Sequence, residues 1–192
     1  MPNLNILLIC IILSALLSGC VSHTKKLQPI SIATGVNFEL IDLHILNKST
    51  ILSQNFQGSY SGRKYSINLI TQISPTKMTM VGLSAIGSRL FTIQYDNRKI
   101  DFNLSKMIPA NKKIKVEYVL ADMQLVYFPI QEIRRNLTGN VTINETANKR
   151  VFYKNNKPFI EIKYSSSNVW NSKIDFHNLE REYQYSIENL AQ

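Results

Sequence analysis

Apolar and polar positions alternate along most of this chain. Tyr65, Ile67, Leu69, Thr71 and Ile73 point one way, and Lys64, Ser66, Asn68 and Gln72 the other. Phe91, Ile93 and Tyr95 repeat the pattern, then Ile100, Phe102 and Leu104. Ile114, Val116, Tyr118 and Leu120 do so against Lys113, Lys115 and Glu117. Period two marks strands with one face on a core and one in water. Asp96-Asn97-Arg98 lies between two such runs and predicts a hairpin turn. Lys154-Asn155-Asn156-Lys157 predicts a second, and His177-Asn178-Leu179-Glu180 a third. Ser84-Ala85-Ile86-Gly87-Ser88 reads as a bend or bulge between Met78-Thr79-Met80-Val81 and Leu90-Phe91. The sum is about ten strands, mostly joined by hairpins, and a mainly β fold.

One segment departs from that period. Between Leu120 and Leu137, the residues Met123, Val126, Tyr127, Ile130, Ile133 and Leu137 recur at steps mostly of three and four, which is helical spacing. Asp122 is placed to cap a helix start. Pro129 cannot sit inside a helix and fits the first turn of a second short one. Glu132 then lies near that helix's start and Arg134 and Arg135 near its end, each complementing the dipole. The expectation is a bent helical insertion over about 122–137. It serves either as a plug on the open end of a sheet or as a lid over an apolar cavity.

The N-terminus carries a different signal. Ile6 to Leu17 is apolar but falls well short of the roughly 20 residues of a membrane span. It ends in Leu16-Leu17-Ser18-Gly19-Cys20, two small residues before a cysteine. This box resembles a bacterial lipoprotein signal, in which the cysteine becomes the acylated first residue. Residues 1–19 read as the signal peptide, Cys20 as the lipidation site, 20–34 as a flexible tether and 35–192 as one β domain. Met1 to Asn5 lacks the basic residues usual ahead of such a run. A free cysteine after a plain signal peptide and a retained anchor helix are the alternatives. Val21, rather than Asp, after the cysteine resembles outer-membrane routing, with the domain facing the periplasm.

Charge and chemistry narrow the picture further. Every charged side chain follows Cys20, so the net charge of +9 belongs to the exported part. Export argues against nucleic acid as the partner of that charge; an anionic membrane surface, an acidic ligand or a solvated face remain. Cys10 lies in the signal, so the mature chain has no second thiol for a disulfide. His23 lies in the tether, and His44 and His177 have no cysteine or histidine at metal-ligand spacing. Asp42 and His44 are two apart, which suits a strand face better than a catalytic pair. No Gly-x-Ser-x-Gly elbow, phosphate loop or calcium loop occurs in the sequence. No catalytic residue, metal or cofactor is therefore expected. Met78, Met80 and Met123 suit either an adaptable apolar surface or ordinary core filling.

Tyr118-Val119-Leu120-Ala121-Asp122-Met123-Gln124-Leu125, running on to Phe128-Pro129, resembles the signature of uncharacterised bacterial lipoproteins encoded beside aryl-polyene and fatty-acid-like synthesis genes. Tyr65-Ser66-Ile67-Asn68-Leu69, Met80-Val81-Gly82-Leu83 and Ile160-Glu161-Ile162-Lys163-Tyr164 are also similar. That family in turn is distantly similar to the lipoprotein-localisation factors. The resemblance implies a strongly curved antiparallel sheet, an incomplete barrel, with a helical lid over an apolar cavity. A β-sandwich is the alternative. It further implies non-catalytic binding or transfer of an acyl or polyene lipid at the outer membrane. The candidate lining residues are then Met78, Met80, Leu90, Ile93, Met123, Val126, Tyr127 and Ile130. Asp122 and Pro129 would set the lid, and Arg89 or Arg134 would meet a head group. The competing expectation is a docking or assembly module for an envelope partner, steered by Lys112, Lys113, Lys115, Arg134 and Arg135.

Overall fold

The computed structural model describes residues 27–60, 63–108 and 115–190. The expected signal peptide, Cys20, Val21, Lys112, Lys113 and Ile114 lie outside these residues. Strands β3 (Thr50–Tyr60), β4 (Arg63–Ile73), β5 (Met78–Leu83), β6 (Arg89–Tyr95) and β7 (Ile100–Leu104) form a meander. Two helices follow, α1 (Val116–Tyr127) and α2 (Ile130–Arg135). A second meander then runs through β9 (Val141–Thr146), β10 (Lys149–Lys154), β11 (Lys157–Tyr164), β12 (Ile174–Asn178) and β13 (Tyr183–Asn189). β13 returns to pair with β3, so both meanders share one ladder in the order β7-β6-β5-β4-β3-β13-β12-β11-β10-β9. All its pairs are antiparallel. The outer strands β7 and β9 do not pair, and the sheet stays an open, strongly curved trough. The sandwich alternative fails because the ten strands make one continuous sheet rather than two facing ones. A small sheet of β1 (Ile30–Ala33), β2 (Val36–Phe38) and β8 (Leu137–Thr138) completes the fold.

The turns form where local chemistry permits them. Asn155 and Asn156 both take positive φ, 49° and 64°, which a two-residue hairpin loop requires and Asn tolerates. Asn97 does the same at φ 70° between β6 and β7. Gly87, at φ 78°, closes the bend after β5, where Ser84 and Ser88 are hydrogen bonded and the register shifts beyond Gly82. His177 lies on β12, and the third turn starts at Leu179, one residue after Asn178 ends that strand.

α1 corrects the strand expected over Ile114 to Leu120 and starts six residues before Asp122. Val116, Leu120, Met123 and Tyr127 fall at four-, three- and four-residue steps and are all buried. The short alternation from Val116 to Leu120 fits either period, and helical burial decides between them. Asp122 does not cap the helix. It lies inside it, and the N-cap position is Lys115, which makes no side-chain cap bond. Pro129 behaves as expected. It follows the C-cap Phe128 and is itself the N-cap of α2 at φ −58°, so the bend is fixed by its ring. Glu132 stands in the first turn of α2 and Arg134 and Arg135 in its last. Ile30 to Ala33, placed above in the tether, is a paired strand with Ile30, Ile32 and Ala33 buried. The packed domain therefore begins before Gly35.

The core lies between α1 and the inner face of the trough. Inward positions follow strand parity: Leu52 on β3, Leu69 and Ile73 on β4, Met78 and Met80 on β5, Ile93 and Tyr95 on β6. Ile162, Phe176 and Ile187 continue the face across β11, β12 and β13. α1 is held by polar bonds at its C-terminal half. Gln124, fully buried, accepts from the Ile41 amide at 2.7 Å and donates to the Ile41 carbonyl at 3.0 Å. Arg150 Nη1 donates to the carbonyls of Leu125 and Phe128, at 2.5 and 3.2 Å, and Tyr164 donates to Val126 at 2.8 Å. These bonds satisfy carbonyls that a helix end leaves open.

Candidate functional site

Below the N-terminal half of α1 the sheet and helix part to leave a groove of about 600 Å³. Its floor is the inner face of β3, β4, β5 and β13, through Phe56, Leu69, Met80 and Tyr185. Its roof is α1, through Tyr118, Val119 and Met123. Gly58 keeps the floor open. A methyl added there would stand 3.0 Å from the Phe56 ring and 3.4 Å from Tyr185 Cβ. Tyr185 stacks on Phe176 at 4.6 Å and meets Phe56 in a tilted contact at 4.8 Å between centroids, so this wall is an aromatic row.

Polar and charged side chains also line the groove, Lys115, Asp122, Arg181 and Tyr183 among them. The Tyr183 hydroxyl donates to Asp122 Oδ2 at 2.7 Å. Burial pushes the Asp122 carboxyl up from 3.8 to about 8, against the opposing pull of the Tyr183 hydrogen bond and the Arg181 charge. The acid is thus mainly neutral at pH 7. Arg181 is fixed by donating to the Ile32 carbonyl at 3.0 Å and to the Ser31 carbonyl.

The candidate residues divide. Met80 and Met123 face the groove. Met78, Ile93 and Val126 are fully buried in the core and do not line it. Tyr127 is also core: its hydroxyl accepts from Gln54 Nε2 at 2.7 Å and its ring stacks on Trp170 at 5.0 Å. Ile130 is buried on α2. Leu90 is half-buried at the register shift of β6 and does not line the groove. The head-group expectation also needs correction. Arg89 is exposed at the start of β6, and Arg134 donates to the Ile143 carbonyl at 3.0 Å. Neither lines the groove; Lys115 and Arg181 do. Asp122 shapes the site as part of the wall rather than as a cap. The inward parity of Tyr183, Tyr185 and Ile187 was visible in the sequence. Arg181 gave no such signal, because it lies in the turn before β13 and reaches the groove only through the fold.

The outer face of the sheet holds a larger trough, about 790 Å³, but its walls include Lys64, Lys163, Asp175 and His177. It is a solvated polar surface. Asp42 and His44, 2.6 Å apart, lie in an exposed 3-10 turn, where Asp42 caps the His44 amide. No cluster of three His, Cys, Asp or Glu side chains suited to a metal occurs among the described residues. No helix among them is long and apolar enough to cross a membrane.

A family model described as a protein of unknown function matches residues 52–191. The match takes in both helices and all of the ten-stranded sheet except the first two residues of β3, and leaves out β1 and β2. No curated protein matches the chain.

Proposed function

The chain belongs to the DUF3261 family, and we propose that it is an outer-membrane lipoprotein, anchored through Cys20 and facing the periplasm, that binds or transfers an apolar acyl or polyene chain without catalysis. The observation that carries this reading is the groove between α1 and the curled sheet. Its volume falls within the roughly 300–1,000 Å³ of small-molecule sites, and its floor and roof are aromatic and aliphatic. A hydrocarbon chain placed there gains roughly 25 cal/mol for each Å² removed from water. Two methionines, Met80 and Met123, give the walls the adaptability that chains of differing shape need.

The fastening of α1 supports a lid. Its C-terminal carbonyls are tied to Arg150 and Tyr164, while its first turn has no side-chain cap. Loosening is then easiest at the Lys115 end, where the groove lies. Exchange is passive, and the chain moves toward whichever site buries it better.

Native mass spectrometry of the detergent-free protein, followed by lipid extraction, tests the reading. One enriched acyl or polyene species is expected, and Met123→Trp, which fills the groove from its roof, should abolish it while the fold persists. A folded protein that neither retains nor takes up such chains overturns the proposal.

A further inference from the structure

Both cations of the groove stand over one ring. Arg181 lies 4.4 Å and Lys115 Nζ 5.2 Å from the centroid of Tyr118. Cation–π attraction holds them at the edge of the apolar space. Neither reaches a carboxylate within ion-pair distance among the described residues. Several other cations of this domain are paired: Lys99 with Asp101, Arg135 with Glu132, Lys149 with Glu161, Arg150 with Glu145 and Lys154 with Glu180. Arg181 uses Nε and one terminal nitrogen on β1 and leaves Nη1 without an acceptor among the described residues. The nearby acid does not balance these charges. Asp122 is bonded to Tyr183, and its burial favours the neutral form.

An apolar groove with two uncompensated cations on one wall discriminates by charge as well as by greasiness. We propose that the groove takes a single-chain anionic amphiphile, its chain between Met80 and Met123 and its carboxylate or phosphate head at Lys115 and Arg181. This rests on the lipid-binding reading above and adds the ligand's head-group class and direction. The planar guanidinium offers Nη1 to one oxygen, and the ammonium of Lys115 meets another. A neutral chain of equal length gains the burial and none of these bonds.

The test uses the full-length chain in isolated membranes. These are exposed to three photoreactive probes of equal chain length: a fatty acid, the corresponding alcohol and the corresponding alkyl phosphate. Crosslinks are mapped to peptides that carry Tyr118, Met123 or Met80. Labelling by at least one anionic probe should exceed that by the alcohol about tenfold, the effect of one charge-assisted hydrogen bond. Comparison of acid with phosphate identifies which source of anion the site prefers. Lys115→Glu, at an exposed position, should remove most of this preference by lowering labelling by the anions more than labelling by the alcohol. Arg181→Lys keeps the charge but loses the fork, and should reduce the preference partway. Equal labelling by alcohol and anions overturns the head-group inference while leaving the lipid-binding reading intact. So does a preference that survives Lys115→Glu and Arg181→Lys in protein that remains folded. Labelling by none of the probes overturns both.

Discussion

Replacing Asp122 with Asn should change how stability depends on pH. The carboxyl lies in the groove wall, accepts from Tyr183 and has a folded-state pKa of about 8 against an ordinary value of 3.8. Between these two values the folded chain keeps a proton that the unfolded chain has released. Stability therefore falls as pH rises through about 4 to 8, and is flat beyond either limit. The slope approaches roughly 1 kcal/mol per pH unit, and the whole span amounts to something on the order of 5 kcal/mol. Asn imitates the neutral acid: it can still accept from Tyr183 and it has no charge to bury. The assay is urea unfolding of both proteins at unit steps from pH 4 to 9, followed by tryptophan fluorescence of Trp170. The difference between the two curves cancels every group they share. It should be near zero at pH 4 and favour Asn increasingly up to about pH 8. A difference that stays within about 1 kcal/mol across the range would refute the reasoning, since the carboxyl would then be solvated in the folded chain.

Arg150→Met should destabilise the protein by about 3–5 kcal/mol, because the carbonyls of Leu125 and Phe128 lose a charged donor; a smaller loss than about 1 kcal/mol in urea unfolding would show that these carbonyls find other partners. Gly82→Ala should cost about 1–3 kcal/mol, since the new methyl would lie 2.4 Å from the Phe91 ring and force it aside. Thermal unfolding reads that cost, and an unchanged midpoint would contradict it. Cys20→Ala should leave an unacylated precursor that fractionates away from the outer membrane; an unmodified Cys20 in the mature wild-type protein would end the anchoring proposal.

The antiparallel class was readable because period two persists through long strands such as β4 and because the turns carry Asn in the right places. The helical insertion was readable from Met123 onward, where only a helix gathers the apolar residues on a common face. Its first turn was not, since Val116, Tyr118 and Leu120 satisfy a strand equally well over five residues. The groove was legible only in part. Met80 and Met123 face it, but periodicity separates inside from outside and does not separate a packed interior from an unfilled one. Met78 and Met80 have the same parity, and only the position of α1 leaves one beside the open space. The cationic wall was the least legible feature. Lys115 and Arg181 are far apart in sequence and meet over Tyr118 because β13 runs through the middle of the sheet.

That placement of β13 has a consequence for how the chain can fold. Its partners are β12 and β3, and Tyr183 to Asn189 pair with Tyr60 to Gln54 across more than half the chain's length. Each meander can zip locally, but neither half can be joined until the final strand is available. The joining step closes a very long loop, and contacts of such sequence separation slow folding. A chain synthesised amino end first would hold β3 with one bare edge until residue 189 had arrived, open to pairing with other strands. Deleting only residues 183–190 should therefore split the sheet at its centre and leave two sticky halves, whereas trimming the same length from a peripheral strand would merely shorten its rim.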